Sequence, residues 1–431
     1  MAIEPVERIH EQEHDTSLAL DLRETLARLA ALPPSLDAPY LTVGLDWRPQ
    51  GESPGVRPPR RHFDDLAEEL RGRFGPRGAA CDSVSADLDR IAAYLDDELD
   101  PAAQGVVFVA CAHRGVFEPI PLDVPVATEA TTGPTPSLRQ LARVVEDFPR
   151  YAVVVADQRE AILWTIERRT WQRSVEVSGT DYPRKQQQGG WSQKRYQKRA
   201  DERIEAFAKT VAEETRRVFD SEQIDYLIVG ADEIMATQLL SAFHQTVAAK
   251  VIRTVSLAIT ASDADVQAVT EPVVAQAERE RELAAVQRVR DGVGAGGKGV
   301  AGAEDTLTAL QTGQVMTLVM DDDFARPGWA DYTMPLYGVG EVPSAHPAGG
   351  DATSIVPVAL EDELIRLAIQ VGAEIEVIQS TVAFNDEEQQ RIPDGDGALP
   401  RAQAALELDA LGGVGGVLRY ALDAGQPTAD L

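Results

Sequence analysis

Three runs of alternating apolar residues crowd into one stretch: YAVVVAD from Tyr151, AILWTIE from Ala161 and WQRSVEV from Trp171. A period of two marks strands with one buried face. Spacers this short favour an antiparallel meander. The period then changes. After the polar loop SGTDYPRKQQQGGW, residues Ile204, Phe207, Val211, Thr215 and Val218 recur at spacings of three and four. That spacing predicts a long amphipathic helix from about Ser192 to Phe219. A strand over Asp225–Gly230, a helix over Glu233–Phe243 and a strand near Val251–Leu257 follow. Ser262 with Asp265 forms a cap for a charged helix ending near Arg290, which Pro272 is expected to kink or restart.

Helices and strands also alternate on either side. Leu18, Leu22, Leu26 and Leu29 give Ser17–Leu32 an apolar helical face. Tyr40–Trp47 and Gly105–Cys111 read as strands, and Phe63–Phe74, Ser85–Leu99 and Ser137–Asp147 as helices. Pro134 and Pro136 mark a boundary. Further on, GVGAGGKGVAG (Gly292–Gly302) reads as a flexible linker or loop. Helices are expected at Glu304–Thr312 and Glu361–Val371, and strands at Val315–Met320 and Glu374–Ile378. A chain of 431 residues has the length of about three ordinary domains. The expected division is 1–148, an N-terminal α/β domain; 149–290, a mixed-sheet middle domain with a Gly-Gly loop and a long helix; and 291–431, a C-terminal domain. The fold class is α/β.

No run of 18 or more apolar residues occurs, so no transmembrane helix and no membrane partner are expected. The opening MAIEPVERIHEQEHD lacks the pattern of a secretory signal, which makes the cytoplasm the expected location. Two cysteines, Cys81 and Cys111, are too few for a disulfide framework or a four-cysteine zinc site. The net charge of −29 argues against a DNA-coating protein, because affinity for nucleic acid rests largely on neutralising phosphates. The basic residues are nevertheless concentrated. No lysine occurs before Lys185, and Arg184–Arg203 carries a net charge of +5. A second arginine-rich loop, Arg48–Arg61, carries +3, whereas Asp351–Leu431 carries −11.

Several motifs carry little chemistry. Gly292, Gly297 and Lys298 approach a P-loop, but Gly299 stands where Ser or Thr would hold magnesium, and a charged helix precedes it. Cys111 with His113 is a weak nucleophile motif. His10 and His14 lack a third metal ligand. Asp321, Asp322 and Asp323 could bind a metal, but the commoner explanation is a polar exit from a strand. No cofactor and no metal are expected.

The window RKQQQGGWSQKRYQKRADER differs from these. Gly189 and Gly190 free the backbone for positive φ and close approach. Trp191 and Tyr196 offer faces on which bases can stack. Lys194, Arg195, Lys198, Arg199 and Arg203 fall largely on one side of the helix. Amides, small residues, aromatics and positive charge together suit RNA. A solvated helix face could carry the same charge.

These features resemble the middle domain of the archaeal and eukaryotic class-1 release factor and Pelota superfamily, as does the strand DYLIVGAD at Asp225–Asp232. GGVGGVLRY, Gly412–Tyr420, is similar to the closing motif of that family's C-terminal domain. The resemblance covers roughly residues 150 to 425, and the N-terminal segment is similar only to bacterial members. The branch indicated is the bacterial release-factor-like proteins, which include Balon-like ribosome hibernation factors. The resemblance implies a C-terminal α/β/α domain similar to kink-turn-binding ribosomal proteins. It also implies a tRNA-like shape that enters the ribosomal A site near the peptidyl-transferase centre, in hibernation or protection. The RNA-binding set is Arg184, Lys185, Gln188, Gly189, Gly190, Trp191, Gln193, Lys194, Arg195, Lys198 and Arg199, with Arg48, Arg57, Arg60 and Arg61. An elongation-factor-type GTPase is the further partner implied.

Two departures count against stop-codon-dependent release. The family's Gly-Gly-Gln is absent, with Trp191 after the glycines and Gln193 two residues later. Its Asn-Ile-Lys-Ser motif is impossible, since Asn385 is the only asparagine. A peptidyl-tRNA hydrolase using Gln193 as its catalytic residue is the alternative. A metal-dependent nuclease using Asp321 is a third reading.

Overall fold

The structure, a computed structural model, describes residues 21–48, 60–75, 77–167, 170–178, 193–295, 297–380 and 401–421. For residues 170–174, 193–201 and 294–295 it describes only the backbone. The chain forms two compact units, one spanning Phe148–Glu278 and one built from Ser17–Asp147 together with Arg279–Leu431.

In the first segment of the second unit, α1 (Leu22–Ala30) begins at Asp21, whose carboxylate accepts from the amides of Arg23 and Glu24 at 2.9 and 3.1 Å. Strands β1 (Tyr40–Asp46), β2 (Gly105–Cys111), β3 (Val116–Leu122) and β4 (Glu129–Gly133) form an antiparallel sheet in the order β3-β2-β1-β4. Helices α2 (Arg61–Arg73) and α3 (Ala79–Asp97) bury Phe63, Leu70, Leu88 and Ile91 with Val43 and Phe108 of the sheet. The sequence reading missed β3 and β4. Both are edge strands, where a missing ladder donor is tolerated. That allows Pro119 and Pro121 inside β3 and obscures its pattern. Helix α4 (Arg139–Asp147) closes the segment.

The unit Phe148–Glu278 contains the meander as expected. Strands β5 (Tyr151–Ala156), β6 (Glu160–Glu167) and β7 (Thr170–Ser178) pair antiparallel, and β8 (Tyr226–Ala231) and β9 (Val251–Val255) join in parallel. The order β7-β6-β5-β8-β9 is thus a mixed sheet. Helices α5 (Gln193–Ser221), α6 (Glu233–Ala242) and α7 (Gln245–Ala248) accompany it. One face buries Ala152, Val154, Leu163 and Val229 against Phe207, Val211 and Leu239. On the other, Val153, Trp164 and Ile228 meet Val266 and Val274. Those last two residues belong to α8 (Asp263–Ala295). Ser262 and Asp265 cap α8 reciprocally, the Asp265 amide donating to the Ser262 hydroxyl at 3.2 Å and the Ser262 amide to the Asp265 carboxylate at 3.1 Å. Pro272 does not restart the helix, which is continuous through it.

The remaining elements are β10 (Gly299–Ala301), α9 (Ala303–Gln311), β11 (Val315–Asp321), β12 (Pro327–Asp331), β13 (Leu336–Val339), β14 (Val356–Ala359), α10 (Leu360–Gln370), β15 (Glu374–Ile378), α11 (Gln403–Asp409) and β16 (Val414–Leu418). A mixed sheet in the order β10-β16-β11-β15 packs Val319, Ile378 and Val417 against Ala285, Val286 and Val289 of α8 and Leu408 of α11. The glycine-rich stretch does not behave as a linker. Helix α8 extends to Ala295, and Gly299–Ala301 pairs with β16 as a strand. A Cβ on Gly299 would lie 2.6 Å from the Val289 carbonyl oxygen and 2.8 Å from the Val293 nitrogen. One on Gly415 would lie 2.7 Å from Val289 Cγ1. These glycines therefore serve close packing between helix and sheet.

A three-stranded sheet, β13-β12-β14, also escaped the sequence reading. Its buried hub is the Asp331 carboxylate. It accepts from the Thr333 amide at 2.7 Å, the Thr333 hydroxyl at 2.6 Å, the Ser354 hydroxyl at 2.7 Å and His346 Nε2 at 3.0 Å. The hydrogen bonds from Thr333 and Ser354 hold its acidity well below the usual carboxylate range.

Candidate nucleic-acid interface

Edge strand β7 ends at Ser178 and α5 begins at Gln193, so the glycine loop joins a sheet edge to a helix N-terminus. Arg184, Lys185, Gln188, Gly189, Gly190 and Trp191 lie outside the described residues, as does Arg57. Gln193, Lys194, Arg195, Lys198 and Arg199 occupy the first turns of α5. Burial anchors this helix from Ile204 onward, through Phe207, Ala208, Val211, Ala212 and Val218. Ile204 follows Gln193 by roughly 16 Å of helix at 1.5 Å per residue. Arg203, just before this stripe begins, is exposed.

The electrostatics change along α5. Towards its C-terminal end, Lys209 pairs with Glu205 at 2.7 Å, Arg216 with Asp220 at 3.5 Å, and Arg217 with Glu214. Between Tyr182 and Ala200, by contrast, the sequence contains no acid. Lys194 and Arg195 therefore have no carboxylate at i±3 or i±4 to neutralise them.

The arginines of the N-terminal segment have different surroundings. Arg48 is exposed at the end of β1 and donates to Asp46, with Nη2 2.6 Å from Oδ2. Arg60 precedes α2 and pairs with Asp96 and, at 3.6 Å, with Asp64. Arg61 is exposed. Arg48 and Arg60 thus carry local carboxylate partners.

The other candidate residues also make local contacts. Asp321 Oδ1 accepts from the Ser380 hydroxyl at 2.6 Å, and its Oδ2 from Arg401 at 3.0 Å. Asp322 faces Arg143 at 3.2 Å and accepts from the Ser380 amide at 3.0 Å. Asp321, Asp322 and Asp323 bring ligand oxygens within 4.8 Å of one another where β11 ends, a grouping that could hold a metal ion, and two arginines face it. Cys111 is buried, its Sγ 3.8 Å from both the Ser35 hydroxyl and the Ala38 carbonyl oxygen. The His113 ring is exposed and lies 3.8 Å from Asp37. Each has its own partner, and no nucleophile–base pair results. The two cysteines are free thiols.

The model of bacterial archaeo-eukaryotic release factor family 10 matches residues 136–278. No curated protein matches the chain. Among solved structures, an archaeal translation termination factor, aRF1, is 16% identical over 92% of this chain and 98% of its own, with a TM-score of 0.24. Pelota from Archaeoglobus fulgidus is 14% identical over 74% of this chain and 80% of its own, with a TM-score of 0.30. The S. cerevisiae protein Dom34, a translation termination-like factor involved in RNA quality control, is 11% identical over the same shares, with a TM-score of 0.40.

Proposed function

We infer that this chain, whose residues 136–278 match bacterial archaeo-eukaryotic release factor family 10, is a ribosome-associated, release-factor-like translation factor. In this reading it occupies the A site, with the Gly189–Gly190 loop near the peptidyl-transferase centre, and serves in ribosome hibernation or protection. Ribosomal RNA is the contact surface, and an elongation-factor-type GTPase is the delivering partner. The three-part division 1–148, 149–290 and 291–431 and a cytoplasmic location belong to the same proposal. Among the described residues, no helix is long and apolar enough to cross a membrane.

One observation carries the reading. The matched segment contains the loop and the start of α5, where positive charge is concentrated without acids in a chain of net charge −29. Cosedimentation with ribosomes across a salt series tests it. About five phosphate contacts would cost roughly several hundredfold in affinity over a fourfold rise in salt. Lys194→Glu combined with Arg199→Glu should weaken binding and flatten that slope. A chain that does not pellet with ribosomes at low salt overturns the proposal.

The hydrolase alternative draws on the position of Gln193, at the first residue of α5, where the loop meets the helix. Peptide release on any codon, abolished by Gln193→Ala, would replace protection with hydrolysis. Stop-codon-specific release would overturn both.

A further inference from the structure

Several polar contacts dock Ser17–Asp147 onto Arg279–Leu431 within the second unit. The Thr135 hydroxyl donates to Glu363 of α10 at 2.8 Å, and Arg366 donates to the same carboxylate from Nε at 2.8 Å. A second group gathers at the last turn of α4, where the chain departs into Phe148–Glu278. Arg143 lies 3.2 Å from Asp322, and Asp147 accepts from the Gln379 side chain at 3.1 Å. Glu146, between them in sequence, accepts from Nη2 of Arg281, two residues past the point where the chain returns at Arg279. Arg281 Nε donates at 2.9 Å to Glu376 of β15. One guanidinium of α8 thus bridges α4 and β15 from two of its edges, which its planar fork permits. The side chains of Glu146 and Glu376 are 18% and 9% exposed. Removing the cation between them would leave two largely buried carboxylates facing one place.

We propose that Arg281 is a positioning residue that ties the departing and returning ends of the chain into one base. Helix α4 ends at Asp147, just before β5, and the chain comes back along α8, which is continuous through Arg281. Because Arg281 holds Glu146 and Glu376 together, the last turn of α4 and the Arg279–Leu283 stretch of α8 open and close as one. The charge-assisted bond to Glu146 makes that opening at least about tenfold rarer. Gln379 holds Asp147 separately, so it steadies α4 without acting on α8. Every contact used lies within the second unit, and the inference does not depend on how the chain binds a ribosome.

Amide exchange of the full chain, read separately in 144–147 and 279–283, tests the tie. Glu146→Gln should raise exchange at least about tenfold in both stretches, although they lie far apart in sequence. Gln379→Ala should raise it in 144–147 alone. In an Arg281→Met background, Glu146→Gln should instead lower exchange, because it then removes one of two carboxylates left facing each other. A merely structural contact would not reverse sign in this way. The proposal is overturned if Glu146→Gln leaves 279–283 unchanged, if Gln379→Ala loosens that stretch equally, or if Glu146→Gln loosens the Arg281→Met protein further. Should Arg281→Met fail to fold, the comparison of Glu146→Gln with Gln379→Ala decides.

Discussion

Gly299→Ala adds one methyl group at a place with no room for it. The new Cβ would sit 2.6 Å from the Val289 carbonyl oxygen, 2.8 Å from the Val293 nitrogen and 2.9 Å from the Gly292 carbonyl carbon. All three are backbone atoms of α8, so no side chain can rotate aside. Relief requires the last turns of α8 to move off β10 by roughly half an ångström or more, against the packing of Val286 and Val289. Overpacking of this kind costs about 1–3 kcal/mol. The lower entropy of the unfolded alanine chain returns about 0.5 kcal/mol. We therefore expect a net loss of about 1–2 kcal/mol, or roughly 2–4 °C for a unit of this size. Calorimetry reads the shift, and amide exchange in the β10–β16 ladder locates it. Gly72→Ala is the matched control. It lies in α2 with no atom within 4 Å of the added carbon and should stabilise by about 0.5 kcal/mol. If Gly299→Ala is neutral or stabilising like the control, the packing argument is refuted and the segment is a linker after all.

Burial pushes Asp87 up to about 6, against hydrogen bonds from the Ala112 amide and the Ser83 hydroxyl that favour its charge. A raised acid favours the protonated folded state, so its stability contribution falls as pH rises from about 4 through 6 and stays lost above. Asp87→Asn should flatten that fall and exceed wild-type stability at pH 8 by up to about 3 kcal/mol in urea melts; equal slopes for both proteins would contradict this. Arg366→Met leaves the buried Glu363 charge uncompensated and should cost about 3–5 kcal/mol, most of it recovered by adding Glu363→Gln. A double variant no more stable than Arg366→Met would show that the pair is not coupled. Trp191→Ala should weaken ribosome binding by about 1–3 kcal/mol with an unchanged salt slope, as loss of base stacking requires. A changed slope would point to lost phosphate contacts instead.

What could be read from sequence followed physical periodicity. The meander and α5 were legible because alternation and the Ile204–Val218 stripe are direct records of burial. The start of α8 was legible because Ser262 and Asp265 satisfy each other locally. Long-range causes left no such trace. Strand β3 hides behind Pro119 and Pro121, which are tolerable only because the strand lies at an edge. The sheet β13-β12-β14 gathers around the polar Asp331, so a search for apolar residues passes over it. Gly299 and Gly415 look like flexibility in one dimension and prove to be close packing in three. The candidate interface was legible as a clustering of residue types. Lys194, Arg195, Lys198 and Arg199 are on α5, but their side chains and the glycine loop lie outside the described residues.

The unit formed by both ends of the chain has a consequence for synthesis. Thr135 and Glu363 are 228 positions apart, so their contact closes a very long loop. Loop closure grows costlier with the logarithm of loop length, and folding of Phe148–Glu278 first would shorten the effective tether. A ribosome adding about 5–20 residues per second takes roughly ten seconds or more to make the segment from Arg279 onward. Throughout that interval Ser17–Asp147 is complete but lacks its partner, and the surface that will meet α10 is open to chaperones or to another nascent copy. The order in which the chain emerges therefore sets the order in which it can fold: first segment, inserted unit, then closure by the last.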